Sequence, residues 1–281
     1  MTATTVETAP YRAFTDLDGV DETTAFWARF LDVVHALPSI RANHRRTVEL
    51  LGVREGFALL DVGCGAGSFA HDALPLVGAT GRVVGIDASE GMVKVARERT
   101  RDRAKPIAFH VADASDLPFG DGLFDGCRTE RVLQYLADPA AAVAEMTRVT
   151  KPGGRVVATE VDWDGMAIDC PEIERDAWRR VVRSISEGVG IGWMGRQVRR
   201  LFAEAGLDDV TCEGFVMVVT DAATLFDDLL VRAAIERARD AGAISAEETA
   251  RLIAGGFAAG RAGRFCGGIP LYTVSGRKPA A

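Results

Sequence analysis

One stretch constrains this 281-residue chain more than any other. Phe57-Ala-Leu-Leu-Asp-Val62 runs straight into Gly63-Cys-Gly-Ala-Gly67-Ser68. A short, mostly apolar run suits a strand buried on both sides in a parallel sheet. Glycines directly after it let a ligand approach the backbone closely before a helix begins. The spacing does not fit a dinucleotide-binding turn, because Ser68 stands where that pattern needs Gly or Ala. No Gly-Lys-Ser/Thr follows, so a P-loop is excluded as well. Asp61, just before the turn, would repel a pyrophosphate at the helix N-terminus and suits an ammonium or sulfonium group. Asp87 ends the next apolar run, where a carboxylate can accept from both hydroxyls of a ribose.

The pattern around this turn is an alternation. Strands are expected at 57–62, 82–87, 106–112, 122–127 and 155–161, with helices at 68–77, 89–104 and 139–149. Lys151-Pro-Gly-Gly154 reads as a turn. Such alternation predicts an α/β sheet of parallel strands. Before it, three- and four-residue spacing of Phe26, Phe30, Val33, Val34 and Leu37 predicts a helix interrupted at Pro38, then a second ending at Gly52. After it, helices are expected at 171–188, 194–205, 222–241 and 245–259, with strands at 210–219 and 269–276. Residues 1–20 show no periodicity and read as an arm.

Composition removes several classes. Forty Asp and Glu against 33 Lys and Arg give a net charge of -7, which disfavours a nucleic-acid or anionic-lipid footprint. No apolar run approaches the roughly 18 residues of a membrane span. Met1–Pro10 has neither the basic nor the apolar region of a signal peptide. Five widely spaced cysteines form no CxxC pair, and the four histidines form no HxxxH pair. The expectation is a cytoplasmic, reduced protein without a metal, with His35 and His44 in core or surface roles.

Five segments together resemble the class I S-adenosylmethionine (SAM)-dependent methyltransferases of the small-molecule type. Asp61-Val-Gly-Cys-Gly-Ala-Gly67 is similar to the family's first motif, and Val84-Gly-Ile-Asp-Ala-Ser89 to its ribose-binding strand end. Val111-Ala-Asp-Ala-Ser-Asp-Leu-Pro-Phe119 resembles the adenine segment. Phe124-Asp-Gly-Cys-Arg128 resembles the fourth strand, and Val149-Thr-Lys-Pro-Gly-Gly-Arg155 the turn before the fifth. The resemblance implies a Rossmann-like α/β fold: a seven-stranded sheet ordered 3-2-1-4-5-7-6, its last strand antiparallel, with N-terminal and inserted helices as a cover. It implies one domain over 1–281: arm and helical lid at 1–51, SAM core at 52–161, substrate-cover helices and closing strands at 162–281. SAM is the implied cofactor, with Gly63, Gly65 and Asp61 at its methionine end. Asp87 would hold the ribose, Ala88 and Met92 would pack on adenine, Asp113 and Ala114 would bond its edge, and Arg128 would flank the methyl group.

The acceptor side is less marked. Glu130 and Arg131 follow the fourth strand, and Asp162 and Trp163 the fifth, so all four are expected in the crevice at the strand ends. Glu130 and Asp162 are candidate proton acceptors. Arg131, Trp163, Trp193 and Tyr11 are candidate contacts to a hydrophobic, ring-bearing metabolite, with Tyr11 on a closing arm. A weak likeness to indole C3-, quinone and polyketide methyltransferases leaves an O, N or C acceptor open, natural-product indoles included. The partner is expected to be a small molecule, the protein a monomer or homodimer. A SAM-fold binding module or cyclase is the alternative.

Overall fold

The computed structural model describes residues 21–101, 107–170 and 173–280. Tyr11 and the expected arm lie outside the described residues.

The first strand, β1 (Ala58–Val62), is buried at every position, Asp61 included, as its mostly apolar run suits. It pairs in parallel with β2 (Arg82–Asp87) on one side and β4 (Phe124–Glu130) on the other. Next to β2 lies β3 (Ile107–Val111), and next to β4 lies β5 (Thr150–Val161), both parallel. The last strand, β8 (Cys266–Arg277), runs antiparallel to β5. β7 (Asp208–Val219) pairs along its other side. The core of the expected order is therefore present, 3-2-1-4-5 followed by the closing antiparallel pair. A three-residue strand, β6 (Ala167–Asp169), was not expected; it pairs with the start of β8 at Cys266–Gly268.

The helices connect the parallel strands: α3 (Ser68–Val77), α4 (Glu90–Thr100) and α5 (Pro139–Val149). Their starts follow local chemistry. The Ser89 hydroxyl accepts from the Met92 N–H, and the Asp138 carboxylate from the Ala141 N–H. Ahead of β1 lie α1 (Asp21–Ala36) and α2 (Pro38–Leu51), separated as Pro38 predicts, with Gly52 in the left-handed region closing the second. Late in the chain, α6 (Arg175–Gly188), α7 (Met194–Glu204), α8 (Val231–Asp240) and α9 (Ala246–Arg261) follow, α9 opening with the Ser245–Glu248 capping box.

Two expectations change. Lys151–Gly154 is a bulge inside β5, between pairings Phe124–Thr150 and Gly126–Arg155. Gly154 is tightly packed there, since an added Cβ would stand 2.6 Å from the Asp125 carbonyl. The helix expected over 222–241 is divided into a π-helical turn, Thr224–Asp228, and α8. Leu230 breaks it by adopting φ 60°. α6, α8, α9 and β7 share one apolar cluster with Val161, Trp163 and Leu271, which roofs one end of the sheet.

Candidate active site

The ends of β1, β2 and β4 open into a cavity of about 300 Å³. Its lining brings together Asp61, Gly63, Gly65, Asp87, Ala88, Met92, Asp113, Ala114 and Arg128, every residue assigned to the cofactor from the motifs. Glu130, Arg131 and Trp163 line it too. Asp162 and Trp193 do not. The Asp162 carboxylate is held by the Arg196 guanidinium, 2.6 Å from Nε, and Trp193 caps α7 with an exposed ring.

The glycine turn is shaped by its neighbours. Gly63 and Gly65 have φ of 70° and 51°, the region that disfavours other residues. A Cβ on Gly63 would meet Val132 Cγ2 at 2.2 Å. The Gly65 N–H donates to Asp87 Oδ2 and the Ser89 N–H to Oδ1, so this carboxylate is fixed by backbone on both oxygens. Asp113 accepts from the Ser115 N–H through Oδ1.

Four charged side chains pack below the turn. Arg128 lies 3.1 Å from Asp61 and 2.7 Å from Glu130, with its guanidinium 3.9 Å above the Phe69 ring. Glu130 also meets His44 Nε2 at 2.8 Å and Arg131 at 3.3 Å. Burial alone would raise the Glu130 carboxyl; His44, Arg128 and Arg131 outweigh it and hold it well below the usual carboxylate range. Asp61 is the opposite case. Burial pushes its carboxyl up to about 6, only partly countered by Arg128. Its Oδ2 is buried and has no partner among the described residues. An ammonium group would satisfy that oxygen, so the residues present fit SAM at this point.

Glu160, at the end of β5, accepts from the N–H groups of Val132 and Leu133 through Oε1. This ties down the turn after β4. Burial pushes its carboxyl up to about 7 against those donors. Gln134 in that turn accepts from Trp163 Nε1 at 2.8 Å, which fixes the indole in the cavity wall.

Sequence reasoning missed three contributors. His44 and His35 both line the cavity, their rings 5.0 Å apart. His35 also faces Asp72 at 3.1 Å. Gln134 lines it as well. The signal was faint: His44 falls within a helix turn of Ile40, which is fully buried in the same wall. Much of the remaining wall is apolar, including Phe30, Val34, Val161, Met217, Leu229 and Leu271.

Comparison with known proteins agrees with this geometry. The methyltransferase-domain family matches residues 60–158. An uncharacterised 37.1 kDa protein in transposon TN4556 of Streptomyces fradiae is 37% identical over 247 residues, covering 87% of this chain and 69% of that one. The ubiquinone/menaquinone biosynthesis C-methyltransferase of Pseudomonas putida is 44% identical over 118 residues, 41% of this chain and 46% of the relative. In structure, phosphoethanolamine N-methyltransferase 2 of Haemonchus contortus in complex with SAM has a TM-score of 0.63 at 18% identity, covering 96% of this chain and 60% of that chain. That is a likeness of fold. With the motif turn, the strand order and these relatives in agreement, the chain belongs to the class I SAM-dependent methyltransferase family, and SAM is its cofactor.

Proposed function

We propose that the protein transfers the SAM methyl group to a small, hydrophobic, ring-bearing acceptor held in the apolar end of the cavity. One observation carries this reading: the motif residues and an apolar wall of Val34, Val161, Trp163, Met217, Leu229 and Leu271 line the same cavity. Cofactor and acceptor would thus meet without an intervening barrier. The partial match to a quinone C-methyltransferase supports a ring-bearing acceptor.

In this reading Asp61 takes the ammonium of SAM through its unpartnered oxygen, and Gly63 and Gly65 let the methionine part approach the backbone. Asp87 accepts from the ribose hydroxyls. Ala88 and Met92 pack on adenine, while Asp113 and the Ala114 N–H bond its edge. Arg128 is a positioning residue, holding Asp61 in place from the floor of the cavity. Arg131 balances Glu130, and Trp163 offers a flat wall to the acceptor ring. SAM supplies an activated methyl on a sulfonium leaving group. The chain's own work is to align the acceptor atom with it and to exclude water.

Incubation with methyl-labelled SAM and a panel of dihydroxynaphthalenes, indoles and aromatic amines tests this. The expected result is one labelled methyl added to at least one ring acceptor. Tight SAM binding with no transfer to any of them would sink the reading in favour of a binding or cyclising protein of the same fold.

A further inference from the structure

We infer that His44 is the general base of the transfer, and that the acceptor therefore carries a proton it must lose: a phenol, a hydroquinone or a ring N–H. This rests on the methyl-transfer reading above.

The argument begins at Glu130. Two arginines and His44 surround its carboxylate, so it is an anion and accepts hydrogen bonds without donating. The hydrogen between it and His44, across 2.8 Å, must then belong to Nε2. A neutral His44 has only one hydrogen to place, which leaves Nδ1 as a bare lone pair. That nitrogen is buried and has no partner among the described residues, and the ring lines the cavity. A buried acceptor atom left unmatched beside a binding cavity is suited to a ligand's donor.

The carboxylates nearby are poorer candidates. Glu130 is closed off by its cations. Asp61 is bonded to Arg128 on one oxygen, and its other oxygen is suited to the cofactor's ammonium. Asp162 is bound to Arg196 outside the cavity. His44 combines the free nitrogen with an anion behind it, so a positive charge formed on the ring is balanced at once. Facing it from the other elements are Arg128 and Glu130 on β4, Asp61 on β1, His35 on α1, and Asp72 and the edge-on Phe69 ring on α3.

In the step, the acceptor's X–H bond breaks and its proton goes to Nδ1. The X electron pair forms the new bond to the methyl carbon. The electrons of the carbon–sulfur bond remain on sulfur, giving S-adenosylhomocysteine. The imidazolium stays paired with Glu130, which is a positioning residue.

The test compares wild type, His44→Gln and His44→Ala with 1,4-dihydroxynaphthalene as acceptor in single turnover. SAM affinity is followed by calorimetry. SAM binding should change less than about threefold, while transfer falls by roughly 10²–10⁴-fold. Imidazole added to His44→Ala should restore part of the rate. Unchanged transfer overturns the inference. So does a loss traced entirely to SAM affinity, which would make His44 a cofactor ligand. So does a wild-type rate abolished by chelator and restored by zinc, which would make His35, His44 and Asp72 metal ligands. One readout needs no turnover. In nitrogen-15 histidine spectra, neutral His44 should carry its proton on Nε2 and should switch or mix tautomers in Glu130→Gln. A proton on Nδ1 in the wild type overturns the inference even if methyl transfer is found; the expected tautomer without any transfer leaves the fault with the methyl-transfer reading.

Discussion

In the proposed reading, two residues in the strand-end turns, Gly63 and Asp87, shape the cofactor surface. Gly63 combines φ 70° with a neighbour, Val132, that any Cβ would strike. Gly63→Ala adds left-handed strain of about 1–2 kcal/mol and must displace the turn after β4. The expected outcome is a lower urea midpoint together with SAM affinity reduced at least about tenfold by calorimetry. Wild-type affinity in this variant would separate the turn from the cofactor. Asp87→Ala removes an acceptor fixed from two sides, and should weaken SAM by roughly 1.5–3 kcal/mol; because the Gly65 and Ser89 N–H groups lose their acceptor, the urea midpoint should fall as well. Glu160 acts through pH. Its folded pKa of about 7 lies above the ordinary 4.5, so the folded state holds the proton more tightly than the unfolded. Stability tied to it is full below about pH 4.5 and is lost as pH rises to about 7. Glu160→Gln keeps an acceptor for the Val132 and Leu133 N–H groups and removes that loss. Urea titrations should show the variant gaining on wild type between those limits; parallel curves would mean Glu160 does not titrate there. Legibility at this scale followed locality. Asp61, Gly63, Gly65 and Asp87 are set by strand ends within a few residues, so their spacing announced the cavity. His44 meets Glu130 across 86 positions, and Arg196 draws Asp162 away across 34, pairings no local pattern carries.

At the scale of elements, α2 earns its place against the sheet by polar contacts as much as apolar ones. Asn43 donates to the Thr159 hydroxyl of β5 and accepts from the Thr273 hydroxyl of β8, and the two hydroxyls meet each other at 2.9 Å. All three are buried. This clasp fixes the helix that carries His44 one residue further on. Asn43→Ala leaves buried hydroxyls short of partners and should cost about 1–3 kcal/mol in urea unfolding. A loss below about 0.3 kcal/mol would show that apolar packing alone seats α2. β1 and β2 were readable because burial on both faces favours mostly apolar runs. Boundaries such as the β5 bulge at 151–154 and the break at Leu230 were not, since each depends on a neighbouring strand or helix rather than on its own residues.

The whole molecule divides its labour between the parallel sheet and the late helices. Motif residues come from strand ends and the turns after them, while Met217 of β7 and Leu229 beside α8 close the apolar end of the cavity from the roof. If the roof forms the acceptor pocket, filling it should spare the cofactor. Met217→Trp puts a larger side chain where a buried methionine now meets the cavity, far along the chain from the glycine turn. Overpacking of this kind costs typically 1–3 kcal/mol, so the variant is first checked for a cooperative melt. Calorimetry on the folded variant should then give SAM affinity within about twofold of wild type. The KM for a ring acceptor should rise at least about tenfold, equal to about 1.4 kcal/mol of lost acceptor binding. Loss of SAM binding instead would mean that the roof supports the cofactor site. An unchanged KM would move the acceptor out of the apolar end, toward the cavity wall formed by His35 and Phe30 on α1.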